Sequence, residues 1–202
     1  MHRYILIILL FPSICIFSQN VDIDILRDIN LNRNKQLDGV FRGVTNSVGP
    51  VAVGVPLILY GVSMINCDSI NKQKAIFIGV SVISATVLTT ILKRTFNRPR
   101  PFITYPDIEK ATSGGSASFP SGHTSDAFAF ATSLSMAYPK WYIIAPSYVW
   151  ASAVGYSRMD LGVHYPSDVF FGAILGAGSA VLTREIQKLL NKKKHKQVRL
   201  IQ

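Results

Sequence analysis

Three short clusters carry the side-chain types that phosphate transfer requires. The first is Lys93-Arg94-Thr95-Phe96-Asn97-Arg98-Pro99-Arg100-Pro101, the second is Pro120-Ser121-Gly122-His123, and the third runs from Ser157-Arg158 to His164-Tyr165-Pro166-Ser167-Asp168. Lys93, Arg100 and Arg158 are three cations able to surround one phosphate, and arginine offers its oxygens a planar fork of donors. Ser121 and Gly122 open an apolar, helix-like stretch, where free backbone N–H groups and the helix dipole favour an anion. His123 and His164 supply ring nitrogens that can move a proton or attack phosphorus near neutral pH. Asp168 follows His164 by four residues. It falls in the first turn of a helix that Pro166 can start, where a carboxylate could hold the far ring nitrogen and fix its tautomer. Taken singly, each residue has a plainer reading. A lone histidine at a helix end is usually structural or solvated, and Arg94, Arg98, Lys110 or Arg158 alone could anchor headgroups. His2 and His195 lie in the N-terminal run and the basic tail and receive no role. The coincidence of three such clusters is what argues for a site.

The elements that must position these clusters read as membrane helices. Hydrophobic residues make up 49% of the 202 and charged residues only 16%, well under the roughly one quarter usual in soluble domains. Met1-His2-Arg3, an apolar run to Phe17 and the polar Ser18-Gln19-Asn20 have the layout of a secretory signal peptide. Residues 1–18 are therefore expected to be a signal peptide or, if uncleaved, a first membrane helix. Residues 19–45 have apolar positions at near-helical spacing (Ile25, Ile29, Leu37, Val40, Phe41 and Val44) and fit an extracytoplasmic amphipathic segment or a plain connecting helix. A membrane domain over 46–190 follows, then a basic cytoplasmic tail over 191–202.

Within that domain the apolar stretches fall at about 47–65, 75–92, 122–138, 141–156 and 168–190. At a rise of 1.5 Å per residue each reaches about 24–30 Å, close to the hydrocarbon thickness. The expected fold is all-α: an integral membrane bundle of about five spanning helices after a signal peptide, six if it is uncleaved. The alternative is a soluble all-α core, which so few charges argue against. Small residues at Ser81–Thr90 and Gly172–Ser179 suit close helix approach.

The net charge of +10 is uneven, because the chain from Arg184 onward carries +6 of it. A basic tail after an apolar helix reads as an anchor on anionic lipid, so a nucleic-acid partner is not expected. Counting helices back from a cytoplasmic tail puts segments 93–121 and 157–167 outside, and the exit direction of the N-terminus agrees. The outer segment 93–121 then holds Lys93, Arg94, Arg98, Arg100 and Lys110 against the positive-inside rule, and an anionic ligand would explain them. Thr112 to Ser118 has the composition of a flexible loop. Cys15 and Cys67 suggest neither a disulfide nor a metal site.

With these residues in view, the chain resembles the type 2 phosphatidic acid phosphatase superfamily, which also holds bacterial acid phosphatases and vanadium haloperoxidases. The family pattern is Lys, six residues, Arg-Pro; then Pro-Ser-Gly-His; then Ser-Arg, five residues, His, three residues, Asp. Lys93 with Arg100-Pro101, Pro120 to His123, and Ser157-Arg158 with His164 and Asp168 match it throughout. The resemblance implies that His164 attacks phosphorus, Asp168 orients it, and His123 protonates the leaving oxygen and then activates water. It also implies that Lys93, Arg100, Ser121, Gly122 and Arg158 hold the phosphate oxygens, with no metal and no other cofactor. The implied partners are a lipid phosphate and the bilayer, with the site on the periplasmic side of a bacterial inner membrane; no oligomeric state follows. Undecaprenyl pyrophosphate, a phosphate of lipid A, and phosphatidate or phosphatidylglycerol phosphate all remain open as substrates. A lipid phosphotransferase, a soluble-type acid phosphatase or haloperoxidase, and a non-catalytic lipid binder stand as alternatives.

Overall fold

The structure, a computed structural model, describes residues 21–201. The expected signal peptide and Cys15 lie outside the described residues. A first helix, α1, covers 21–31. A short 3-10 turn at Lys35–Leu37, begun by the Asn34 side chain, leads into α2 (Asp38–Asn46). A π-helical stretch at Pro50–Gly54 passes into α3 (Val55–Ile65). Pro50 and Pro56 each lack an N–H, and a wider turn accommodates the missing bonds. Asp68 caps α4 (Ser69–Phe96) by accepting from the Ile70 and Asn71 N–H groups at 3.0 Å. Asn97 ends it in the left-handed conformation, φ 41°. The chain then forms a single turn, α5 (Pro101–Thr104), and the longer α6 (Gly122–Ala137), α7 (Trp141–Asp160) and α8 (Pro166–Ile201).

The bundle is organised around α6, which packs on α4, α7 and α8. Apart from Phe130, its buried positions are small: Thr124, Ser125, Ala127, Ala129, Ala131, Thr132 and Ser133. The facing residues of α8 are smaller still. A Cβ on Gly172 would lie 2.7 Å from the Ser121 carbonyl oxygen, and one on Gly176 would lie 2.1 Å from that of Ser125. Those two glycines let the helix backbones touch, the membrane mode of packing in which van der Waals contact replaces the hydrophobic drive. Many larger side chains point away from the bundle. Leu57, Ile58, Ile83, Val87, Ile91, Phe170 and Ile174 are all more than half exposed, as lipid-facing residues are.

Among the described residues, three helical stretches are long and apolar enough to cross a membrane: Lys35–Ile65, Ser69–Thr104 and Pro166–Leu190. Helix α6, at 16 residues, is about 24 Å long, and α7, at 20 residues with Pro146 inside it, about 30 Å. The protein is thus an all-helical integral membrane protein.

The segment before the bundle has an exposed apolar side and a buried one. Ile25, Leu37 and Val40 are exposed, whereas Ile23 and Leu26 are buried against Ile108 and Tyr165. The segment does not stand apart from the domain: α1 and α2 pack across the end of the bundle where α4 and α7 finish and α6 and α8 begin.

Candidate active site

That end of the bundle collects all three sequence clusters. Lys93 is in the last turn of α4, Arg100 is the extended residue before α5, and Arg158 is in the last turn of α7. Ser121 is the residue before α6, His123 is in its first turn, and Asp168 is in the first turn of α8. His164 sits in the short link between α7 and α8. There Gly162, at φ 71°, turns the chain where a Cβ would strike the Glu109 carbonyl oxygen. The start of α6 is tied to the start of α8 by the Ser121 N–H, which donates to the Asp168 carbonyl at 3.0 Å.

Arg100 and Arg158 are buried and Lys93 is half-buried, and all three are turned inward. Arg100 Nε donates to the Ser116 carbonyl at 2.7 Å and Nη1 to the Val163 carbonyl at 2.9 Å. Arg158 Nη1 donates to Thr45 Oγ1 at 2.7 Å and Nη2 to the Ser113 carbonyl at 3.3 Å, while Nε has no partner. Lys93 Nζ donates to the carbonyls of Ala117 and Ser118. The segment read as a flexible loop thus lies across the site, and its carbonyl oxygens occupy all three cations. Such carbonyls carry partial negative charge, so they occupy the positions an oxyanion would take.

The two histidines differ in exposure. His123 is exposed, with Lys93, Arg100 and Arg158 all near enough for their charge to act on it. His164 is 1% exposed. Its Nδ1 lies 3.4 Å from Asp168 Oδ2, and its Nε2 lies 3.4 Å from Nη1 of Arg100. Burial pushes the His164 imidazole down to about 3; Asp168 opposes the shift, and Arg100 and Arg158 add to it. The ring is neutral at physiological pH. With Nδ1–H turned toward the carboxylate, the Nε2 lone pair faces the cations.

Asp168 is fully buried. Its Oδ2 accepts from the Tyr165 N–H at 3.0 Å and from Ser118 Oγ, and its Oδ1 from Arg98 Nη1 at 2.8 Å. Arg98 is therefore no headgroup anchor. It turns inward because a buried carboxylate needs a charged partner. Ser121 Oγ pairs with Thr124 Oγ1 at 2.8 Å, so what Ser121 offers an anion is the start of the helix. At Gly122, a Cβ would come within 3.9 Å of Lys93 Cε, which brings this helix start beside the lysine. Three further residues meet the site from outside the clusters: Thr45, Ser118 and, through Arg98, Asp22. Among the described residues no group of three or more His, Cys, Asp or Glu comes together as a metal-binding set.

A cage of cations over a buried, neutral histidine held by a carboxylate, set at one end of a membrane helix bundle, defines a membrane phosphatase. The chain belongs to the PAP2 superfamily, whose family model matches residues 74–192. It is 29% identical over 164 residues to the lipid A 1-phosphatase of Rhizobium etli, covering 74% of this chain and 69% of that one. It is 27% identical over 195 residues to the undecaprenyl-diphosphatase of Sulfolobus acidocaldarius, covering 92% of each. The crystal structure of Aquifex aeolicus LpxE superposes with a TM-score of 0.69 at 32% identity, over 82% of this chain and 95% of that one.

Proposed function

We propose that this protein is a metal-independent lipid phosphatase that works through a phosphohistidine on His164. The observation that carries the reading is the position of His164, with one ring nitrogen toward Asp168 and the other toward Arg100. Nε2 attacks phosphorus, the bond from phosphorus to the lipid oxygen breaks, and His123 gives that oxygen its proton. His123 then takes a proton from water as the water oxygen attacks the phosphohistidine, and inorganic phosphate leaves. Lys93, Arg100, Arg158 and the α6 start at Ser121 and Gly122 hold the equatorial oxygens, where positioning and charge supply most of the catalysis. The donor set supports the metal-free reading, since cations rather than carboxylates face the phosphate.

The substrate is a phosphomonoester or diphosphate of an envelope lipid. The names of the relatives support lipid A and undecaprenyl diphosphate ahead of a soluble substrate. Five helices cross the bacterial inner membrane, the site faces the periplasm, and the basic end of the chain is cytoplasmic. A reporter fused after Gln202 should be active only if it functions in the cytoplasm; the reverse pattern, with a periplasmic reporter active there and inactive at Gly114, would overturn the topology. For the chemistry, phosphate release from short-chain phosphatidate in detergent should persist in excess EDTA and be blocked by vanadate. Labelled phosphoenzyme should be trapped in the unmodified protein and absent from His164→Ala. Loss of activity in EDTA with recovery in magnesium would refute the mechanism.

A further inference from the structure

We infer that Asp22, on the first helix, is a positioning residue of this reaction: through Arg98 and Ser167 it holds the carboxylate that orients His164. The inference rests on the phosphohistidine reading and adds to it a residue far outside the three clusters. Asp22 is 6% exposed. Its Oδ1 accepts from the Ser167 backbone N–H at 2.7 Å, and its Oδ2 from Ser167 Oγ at 2.5 Å and Arg98 Nη2 at 2.8 Å. Arg98 Nη1 donates in turn to Ser167 Oγ and to Asp168 Oδ1, both at 2.8 Å. One guanidinium therefore bridges two carboxylates, and its plane is fixed by the Tyr165 ring, whose centroid lies 3.8 Å away.

The chemistry of that bridge gives Asp22 its role. Ser167 is the second residue of α8, so Asp22 supplies its backbone N–H at the start of that helix with a side-chain acceptor. More importantly, Asp22 takes one arm of the Arg98 fork. Without it, both arms are free to pair with Asp168 in the bidentate arrangement that carboxylates and arginine prefer. Such a pair would engage Oδ2, the oxygen that faces His164 Nδ1, and would neutralise Asp168 more completely. The contact between Asp168 and His164 is already long at 3.4 Å, so it has little margin. Asp22 keeps Arg98 shared, and so leaves Oδ2 and much of the Asp168 charge for the imidazole as it becomes cationic on attack. A residue that merely docked α1 onto the bundle would affect folding, but would not act through Asp168.

The test is a kinetic cycle on full-length protein in detergent, with short-chain phosphatidate as substrate and rates normalised to folded protein. Asp22→Asn should lower kcat roughly 10- to 100-fold, as for loss of an outer partner that helps to orient a functional histidine, with KM within about threefold. Asp22→Glu, which keeps the charge, should recover part of the loss. In an Asp168→Asn background, Asp22→Asn should cost under about twofold more, because two residues acting through one contact are not additive. Unchanged kcat in Asp22→Asn, or a full multiplicative loss in the double variant, would overturn the proposal while leaving the phosphohistidine reading intact. If Asp168→Asn alone kept full activity, the reading beneath it would fail as well. Should Asp22→Asn not fold, Arg98→Lys takes its place in the cycle. A lysine keeps the charge but cannot reach both carboxylates as a fork, so the same loss of kcat and the same non-additivity are expected, and additive behaviour would again refute the role.

Discussion

Nη1 of Arg100 stands 3.4 Å from Nε2 of His164, the ring nitrogen turned away from Asp168. The same guanidinium that would hold a phosphate oxygen thus lies beside the atom that would attack its phosphorus. Arg100→Lys keeps the charge and loses the fork, so bound phosphate should be held without its in-line orientation. We expect kcat to fall on the order of 10²-fold, as for loss of one fixed donor to a developing oxyanion. Trapped phosphoenzyme should fall with it, measured in a rapid-quench assay. A change confined to KM would mean that Arg100 only binds.

The exposed His123 and the buried His164 should answer differently to the leaving group. His123→Ala should lose most activity on a lipid alkyl phosphate, whose leaving oxygen needs a proton. It should lose far less on p-nitrophenyl phosphate, whose phenolate departs without one. His164→Ala should lose both activities and the covalent intermediate. Label retained in His164→Ala but absent from His123→Ala would exchange the two roles.

Burial holds His164 neutral, with its value pushed down to about 3 from the ordinary 6.5. The unfolded chain takes up that proton first as pH falls. The histidine therefore contributes stability that is fully present above about pH 6.5 and drains away toward pH 3. The unfolding midpoint in detergent should drop between pH 7 and pH 4. His164→Gln, which cannot titrate, should drop less over the same range. Equal slopes for the two proteins would show that another group governs the acid side.

The motif residues could be read from the sequence because their chemistry is local: a helix end, a proline, a fixed spacing. Their supports could not. Thr45 meets Arg158 across 113 residues, Asn30 meets the Asp160 carbonyl across 130, and Asp22 meets Ser167 across 145. No periodicity announces a threonine that will pair with a distant arginine. The same limit hides how the first helix docks. Ile23 and Leu26 are buried only because Ile108 and Tyr165 come back to meet them, and the spacing of Ile25, Leu37 and Val40 gives no hint of it. The bundle itself was legible because glycines at 172 and 176 declare a close helix contact whatever the partner.

Thr45 gives those hidden supports a direct test. It is fully buried and receives Arg158 Nη1 at 2.7 Å, while Arg158 Nε already lacks a partner. Thr45→Val keeps the shape and removes the acceptor. Leaving a second buried guanidinium nitrogen unpaired should cost about 1–3 kcal/mol of stability. It should also loosen Arg158, lowering kcat/KM roughly tenfold or more. Thr45→Ser, which keeps the hydroxyl, should restore most of both. Unfolding midpoints and kinetics on the same preparations would check it, and a Thr45→Val protein as active and as stable as the parent would remove Thr45 from the site.

The loop from Ser113 to Ser118 and a phosphate need the same donors. Arg158 is bonded to Ser113, Arg100 to Ser116, and Lys93 to Ala117 and Ser118. A bound oxyanion must displace those carbonyls, so binding and loop opening are one equilibrium, and apparent affinity is reduced by the share of closed protein. Gly114 allows the closed form to be weakened selectively. A Cβ there would lie 2.6 Å from Arg100 Nη1, closer than any side chain tolerates, so Gly114→Ala forces the loop and the guanidinium apart. Vanadate should then inhibit at a lower concentration in Gly114→Ala than in the parent protein, by roughly the factor that the closed form had cost. Backbone amides of 113–118 should also exchange faster with solvent deuterium in the absence of ligand. Vanadate added to the parent protein should raise exchange at the same amides. Weaker vanadate binding in Gly114→Ala would mean instead that the loop helps to hold the oxyanion, and that its carbonyls turn away before the phosphate arrives.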